Sequence, residues 1–393
     1  MAQLDHLSIA EDPLTTATTT TTSRRGGGRQ NHIDWLRNLG ILFLFPYHTA
    51  RVFNGDASFY VKGEVNNFST VLVQLSYWFM PLLFLLAGSA SFYALKRRSA
   101  GRYVSERVSR LLVPLLFGVL VVVPPQAYYA LRFHRGYEGS YADFLWRYFT
   151  DFSDWSEYAG GISPAHLWFI LFLFLISAAL VQPMLALARR GYTPRWLRRP
   201  LPALLPVALL TALSYLPEVG GKNIFVFAAY FMLGFLIATD DSIMDMVERW
   251  RPLFLALAAC GAAGVLLLGG QESLPATAVR DLACWTALLA MLGYGRRYLN
   301  GGSKAVAYCN EAAFPLYVLH QTFLVAVGFY VLRHADAGPL PYVVIMTVSF
   351  ALSLITYEIV RRWGLTRFVL GLGRRKPSTV AGPGAAGGVA RPS

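Results

Sequence analysis

The sequence predicts an all-α protein that crosses a membrane many times. Of its 393 residues, 55% are hydrophobic and only 15% are charged, a balance more apolar than one water-soluble core requires. The apolar residues fall in runs, roughly one every 30 to 40 residues, and a run of about 20 can span a bilayer as a helix. Both observations indicate a polytopic integral membrane protein with about ten transmembrane helices.

The predicted spans follow one another along most of the chain. Each is a run of about 17 to 25 mainly apolar residues. In order, they are residues 36–54, 70–94, 111–132, 165–188, 201–217, 223–239, 252–269, 277–294, 312–332 and 340–361.

The basic residues indicate the orientation of these spans. The net charge is +13, and with the N-terminus inside, about 27 of the 35 Lys and Arg residues lie in cytoplasmic segments. This is the asymmetry of the positive-inside rule, so we predict that both termini are cytoplasmic. The rule accounts for the basic residues, and we expect no nucleic-acid partner. A multi-pass protein of the plasma or inner membrane, in contact with membrane lipid, is the expectation.

The two ends differ from the middle of the chain. Residues 1–29 and 371–393 are low in complexity and poor in apolar residues, so we predict disordered cytoplasmic tails around a transmembrane domain of residues 30–370. No apolar signal-peptide core precedes the first span. Cys260, Cys284 and Cys309 have neither metal-ligand spacing nor a disulfide pattern, and no metal is expected.

The first span carries three ionisable side chains, Asp34, Arg37 and His48. At about 100° per residue, Arg37 and His48 fall within about 20° of each other, and Asp34 lies within about 40° of His48. A rise of about 1.5 Å per residue places Arg37 some 16 Å from His48 along the axis. The geometry therefore predicts one stripe that runs from the membrane edge to its middle, in which Asp34 cannot orient His48 directly.

Each member of this stripe has two interpretations. Asp34 and Arg37 are an ordinary charge pair beside a membrane, or the edge of a functional site. An ionisable residue such as His48 is energetically costly inside a span unless it faces the protein interior or a water-filled cavity. It is therefore either a hydrogen-bonded core residue or a reactive group.

Several segments resemble the membrane acyltransferase 3 family. They are IDWLRNLGILFLFPYH (33–48), MPLLFLLAGSASFYALKRRSAGRYVSERVSRLLVP (80–114), HLWFI (166–170), AAFPLYVLHQTFL (312–324) and TYEIVRR (356–362). The resemblance covers about residues 30–370 and is nearest to the branch that contains glucan-modifying acyltransferases of the cell envelope.

This resemblance implies transfer of an acyl group, usually acetyl or succinyl, from cytoplasmic acyl-CoA to an extracytoplasmic hydroxyl. His48 would be central, with Arg37 and Asp34 beside it. A histidine can act near neutral pH as a general base or as an acyl carrier, and both roles stay open. Acyl-CoA is then a co-substrate rather than a permanently bound cofactor.

The segment after the second span is the expected site for the phosphates of CoA. Arg107 and Arg110 match an arginine pair of the family, and Arg97 and Arg98 precede them. Planar guanidinium groups suit phosphate oxygens. Positive-inside charge alone is the alternative explanation for all four.

Five further residues are candidates for substrate binding. His320 and Gln321 lie deep in a span and line the same cavity as His48, or they are satisfied core residues. His166 and Trp168 contact the acceptor, or they anchor the fourth span at the interface. Glu358 helps to bind CoA, or it pairs with Arg37 of the first span.

The expected acceptor is an envelope carbohydrate or glycolipid. The alternative function is a proton-coupled transporter or flippase that uses His48 and His320 as a proton relay. The acceptor identity and the oligomeric state are left open by the sequence.

Overall fold

A computed structural model describes residues 31–55, 59–153, 160–269, 271, 273–335 and 338–372. Within these ranges the chain is helical and contains no strand. The helices are α1 (Asn31–Phe53), α2 (Asn67–Gln74), α3 (Phe79–Leu95), α4 (Ala100–Arg135), α5 (Tyr141–Thr150), α6 (Trp168–Ala179), α7 (Val181–Arg189), α8 (Pro206–Leu213), α9 (Ile224–Ile237), α10 (Asp241–Arg249), α11 (Arg251–Leu267), α12 (Leu274–Tyr298), α13 (Lys304–His334), α14 (Pro339–Val360) and α15 (Gly364–Val369), with short 3₁₀ turns at Ala165–Leu167, Arg195–Arg198 and Pro202–Leu204.

The all-α prediction is confirmed for the described residues, but the candidate spans among them are fewer than ten. In the part of the chain that the structure describes, five helical segments are long and apolar enough to cross a membrane: Asn67–Leu95, α4, α12, α13 and α14. The count rises to seven if two bent pairs, α6 with α7 and α9 with α10, are each one span. Thus ten spans are not confirmed, because apolar runs also form short or sharply bent helices.

Three predicted spans are not among these candidates, and the reason can be identified for each. α1 contains Asp34, Arg37 and Arg51 along its 23 residues, which lowers its hydropathy. The predicted span 201–217 forms only the short apolar helix Pro202–Leu213, and α11 has 17 residues. The predicted tails, 1–29 and 371–393, lie outside the described residues except at positions 371 and 372.

Helices α1, α13 and α14 form the frame that positions the polar side chains. α1 and α13 are parallel neighbours, since Arg37 contacts Asn310 near their starts and His48 contacts His320 further along. α14 returns in the opposite direction, and its Tyr342 hydroxyl donates to the Pro46 carbonyl. The two polar levels of α1 are therefore each matched by a polar residue of α13.

Two π-helical turns, Val108–Leu112 and Gly118–Val122, interrupt α4. In the second turn, the amide of Pro124 would be the next partner for the Val119 carbonyl, but proline has no N–H. The Tyr148 hydroxyl of α5 donates to this carbonyl instead, at 3.1 Å. The wider turn is therefore stabilised by a side chain from a neighbouring helix.

Helices α3 and α9 cross at close range. A Cβ atom at Gly88 would overlap the Phe231 carbonyl, and one at Gly234 would overlap the Leu85 carbonyl. The Ser89 hydroxyl also donates to the Gly234 carbonyl at 2.8 Å. Small residues let membrane helices approach closely, and these two glycines permit this crossing.

The starts of α1 and α13, the end of α14 and the α3–α4 turn lie at one end of the bundle. We call this end the basic end. Arg110 lies there, since its carbonyl is close to Gly371, which follows α14 and packs against Phe314 of α13. Charged pairs such as Arg361–Glu358 also lie at this end. The cytoplasmic location of this end stays a prediction.

Candidate functional site

A cavity of about 860 Å³ lies between the helices toward the end opposite the basic end. Its wall includes His48 of α1, His166 of the 3₁₀ turn, and Gln321 of α13. Its outer part is bordered by residues 218–223, which join α8 to α9. Trp168 also lines it, so the structure brings four of the predicted site residues to one cavity.

Three histidines meet beside this cavity. The His320 Nε2 atom lies 3.3 Å from the His48 Nδ1 atom, and the ring centroids of His320 and His166 are 5.1 Å apart. His320 is fully buried between the other two. Of the predicted pair His320 and Gln321, only Gln321 lines the cavity, whereas His320 lies behind its wall in contact with His48.

The backbone around His320 determines which of its nitrogens carries the proton. Its Nδ1 atom is 2.7 Å from the Tyr317 carbonyl, which can only accept a hydrogen bond, so Nδ1 is the donor. In the neutral ring, Nε2 is then an acceptor. It accepts from His48 Nδ1–H, which also points toward the Leu44 carbonyl at 3.1 Å.

This chain of contacts fixes the tautomer of His48. With the proton on Nδ1, the lone pair of neutral His48 is on Nε2. No residue that the structure describes makes a hydrogen bond to that nitrogen, and the side chain lines the cavity. His48 thus has an unprotonated nitrogen with a free lone pair, on a side chain that lines the space where a substrate would lie.

His166 is fixed at both nitrogens. Its Nε2–H donates to the Val318 carbonyl at 2.9 Å, and its Nδ1 accepts from the Gln126 amide at 3.3 Å. The Tyr317 hydroxyl donates to the His166 carbonyl at 2.5 Å. The preceding Ala165 has φ 48°, an uncommon conformation for a residue other than glycine.

The position of His166 differs from an interfacial anchor, because only 5% of the residue is exposed. Its partner Gln126 was not among the predicted site residues. The available signal was a glutamine in the apolar run of α4, since a polar side chain in a span normally faces the protein interior.

The aromatic wall of the cavity includes Trp168. Its ring packs against Phe172 and Phe227, with centroids 5.4 Å and 5.2 Å away. The ammonium of Lys222 lies 5.3 Å from the Trp168 centroid. Trp168 therefore presents an aromatic surface next to a cation in the outer part of the cavity.

Arg37 lies at the basic end and has two partners. Its Nη2 atom donates to Asp34 Oδ1 and to Asn310 Oδ1, both at 2.8 Å. The Glu358 carboxylate instead accepts from Tyr308 at 2.7 Å and from Arg361 at 2.9 Å. The predicted alternative of an Arg37–Glu358 ion pair is therefore wrong.

The four arginines expected near CoA phosphates have different surroundings. Arg107 donates to the Ser91 hydroxyl at 3.0 Å and lies over the Tyr103 ring. Arg98 forms an ion pair with Glu106 at 2.6 Å.

Arg97 and Arg110 are both exposed. No ion pair or side-chain hydrogen bond involves either of them among the described residues. These two guanidinium groups are therefore available to an anionic ligand, whereas Arg107 and Arg98 already have protein partners.

A metal centre is not apparent in the described ranges, where no group of three or more His, Cys, Asp or Glu side chains is placed to hold a metal ion. Apart from Nε2 of His48, the ring nitrogens of the three histidines contact one another, backbone carbonyls or Gln126. The arrangement suits proton transfer or nucleophilic chemistry at His48.

Comparison with known proteins identifies the family of this chain. A family model described as an acyltransferase domain matches residues 30–358. Glucans biosynthesis protein C of Salmonella heidelberg (strain SL476) is 22% identical over 368 residues, which is 85% of this chain and 91% of the relative. The protein of the same name from Salmonella agona (strain SL483) is 20% identical over 367 residues, with the same coverage. No solved structure gives a significant match.

The match over most of the chain favours an enzyme over a transporter. Several apolar helices in a chain of this family also indicate a multi-pass membrane protein. The chain belongs to the acyltransferase 3 family and is an acyltransferase.

Proposed function

We propose that this protein transfers an acyl group, acetyl or succinyl, from cytoplasmic acyl-CoA to a hydroxyl of an extracytoplasmic carbohydrate or glycolipid at the plasma or inner membrane. The observation that carries the proposal is the oriented His48, whose Nε2 lone pair is free to face the cavity. A thioester is already activated, so the remaining requirement is a group that takes the proton of the acceptor hydroxyl or carries the acyl group.

The donor enters from the basic end in this proposal. Arg97 and Arg110 contact the phosphates of CoA, because their guanidinium groups have no partner among the described side chains and suit phosphate oxygens. Arg107, Arg98 and Glu358 keep the α3–α4 turn and the end of α14 in place through their own contacts. The pantetheine arm then extends along the bundle toward His48.

The acceptor enters through the cavity on the other side. Aromatic rings such as Trp168 pack on the apolar faces of sugars, and buried polar groups bond to sugar hydroxyls. The relatives are named for glucan biosynthesis, which supports a glucan-like acceptor. His166 shapes this cavity wall through its fixed ring and does not take the proton itself, since both its nitrogens are engaged.

Replacing His48 tests the function directly. The His48→Ala protein should bind acyl-CoA with little change but lose turnover, because loss of acid–base help alone typically costs about 10² to 10⁴ in rate. The matched control is His334→Ala, at the exposed end of α13, which should keep normal turnover. A folded His48→Ala protein that still transfers acyl groups at close to the normal rate would refute the proposal.

The orientation needs a separate experiment. In a variant without native cysteines, a single cysteine at position 102 or position 140 is labelled with a reagent that cannot cross the membrane. Both positions are exposed. The proposal expects labelling from outside at position 140 but not at position 102; the reverse pattern would place the donor site outside the cell.

A further inference from the structure

Gln321 is a buried amide without a partner. Only 3% of the residue is exposed, it lines the cavity, and no hydrogen bond joins its side chain to any residue in the described ranges. Its amide reaches the open space of the cavity, where it can meet a ligand atom. Such a group beside a reactive side chain indicates a place where a ligand atom completes the hydrogen bond.

Three other polar side chains of the same wall already have partners. The Ser76 hydroxyl donates to the Leu72 carbonyl, and the Tyr317 hydroxyl donates to the His166 carbonyl. The Asn223 amide donates to two carbonyls near the end of α8. Gln321 therefore differs from these groups, since its N–H donors remain free to meet a substrate.

Acyl transfer needs such a donor. When a hydroxyl attacks a thioester carbonyl, the carbonyl oxygen becomes an oxyanion, and a hydrogen-bond donor held at that position lowers the barrier. Gln321 directly follows His320 on α13, and His320 in turn contacts His48. One rigid helix thus carries both the residue that orients the base and an unpaired donor.

We propose that the Gln321 Nε2–H group is the oxyanion donor of this enzyme, an assignment that rests on the proposed acyl transfer. In the direct route, the acceptor oxygen forms a bond to the thioester carbonyl carbon while its proton passes to His48 Nε2. The oxyanion accepts a hydrogen bond from Gln321. The carbon–sulfur bond then breaks, and the CoA thiolate receives the proton from His48, so that ester and thiol are the products.

The test uses two variants that remove the donor and nearly keep the size. Gln321→Met has a similar length but no N–H, and Gln321→Glu replaces the amide nitrogen with an oxygen. Gln182→Met changes an exposed glutamine of α7 and is the matched control. Purified full-length protein is assayed with acetyl-CoA or succinyl-CoA and a glucan oligosaccharide, and ester formation is followed by mass spectrometry.

The expected result is a fall in kcat of about 10² to 10³ for Gln321→Met, the typical cost of losing one oxyanion donor. The KM for acyl-CoA and for the oligosaccharide should change less than about threefold, since the lost contact forms in the transition state. Gln321→Glu should be at least as slow, because a carboxylate repels the oxyanion. Gln182→Met should match the wild-type rate.

Two outcomes would overturn the assignment while leaving the proposed function intact. One is a Gln321→Met protein with nearly normal kcat, which would make Gln321 a packing residue. The other is a loss confined to the KM for the oligosaccharide, which would make it an acceptor-binding residue. Thermal melting in detergent checks folding, and Gln321→Glu is the second variant if Gln321→Met melts early. A wild-type protein that transfers no acyl group from either donor overturns the proposed function and this assignment together.

Discussion

Replacing His320 separates orientation of the base from the chemistry itself. The His320→Leu change removes the acceptor for His48 Nδ1–H, a contact of 3.3 Å, but leaves the Leu44 carbonyl at 3.1 Å. The His320→Gln change keeps an acceptor, because the Oε1 atom of glutamine occupies the same position along the side chain as Nε2 of histidine. We therefore expect His320→Gln to be the more active of the two.

The magnitude follows from the hydrogen bond that is lost. When His48 takes the proton it becomes positively charged, and a hydrogen bond to a charged group contributes about 1.5 to 3 kcal/mol. Since one acceptor remains, a loss of about 1.4 to 2.7 kcal/mol is expected, which is a 10- to 100-fold fall in kcat. His320→Leu should thus be less damaging than His48→Ala, with little change in KM.

The assay measures initial rates of ester formation at several acyl-CoA concentrations, with melting curves to confirm that the buried ring has been replaced without unfolding. Equal activities of His320→Leu and His320→Gln would show that the acceptor at this position does not matter. A His320→Leu protein as inactive as His48→Ala would show that His320 takes part in the chemistry itself. Either result would refute the orientation argument.

The other predictions concern the donor site and the bundle. Arg110→Ala should weaken binding of acyl-CoA, measured by calorimetry, and leave the melting temperature unchanged. Arg107→Ala should lower the melting temperature, because it loses its contacts with α3. Equal melting temperatures of the two variants would contradict these different roles. Asn38→Leu should raise the free energy of unfolding by about 1 kcal/mol, because both amide atoms of Asn38 are buried without a hydrogen-bond partner. Asn223→Leu should lower the free energy of unfolding, because the Asn223 amide caps α9. Changes of the same sign in urea titrations of the two variants would contradict this prediction. Gly88→Val should destabilise the protein by about 1 to 3 kcal/mol, because the larger side chain would overlap α9. A normal melting curve for this variant would disprove the close crossing of α3 and α9.

Much of the site was accessible from the sequence because ionisable residues in apolar helices are expensive. That argument alone placed His48 and His320 in a common interior, where the rings are in contact. It did not reveal which nitrogen faces the cavity, since this depends on the carbonyls of Leu44 and Tyr317 and on the relative rotation of α1 and α13. The partners of Arg37 likewise depend on the register between two helices far apart in the chain.

The spans were harder to predict than the helices. The apolar run of residues 223–239 predicts a helix but does not reveal the bend of 102° between α9 and α10. Asp240 accepts a hydrogen bond from the Ser242 N–H at 2.9 Å and caps the start of α10 at this bend. Its position is fixed further by Arg198, from a segment more than 40 residues away, and such tertiary partners leave no mark on local hydropathy.

The parallel packing of α1 and α13 fixes the distance between two polar levels of the bundle. Arg37 and Asn310 share one level, and His48 and His320 share another, eleven residues further along α1 and ten along α13. At about 1.5 Å per residue, the two levels are about 15 to 16 Å apart. A donor held at the basic end must therefore carry its reactive carbonyl on a long flexible arm to reach the histidine. Acyl-CoA has such an arm, whereas acetyl phosphate, in which the carbonyl is joined to the phosphate through one oxygen, is too short to occupy both levels at once.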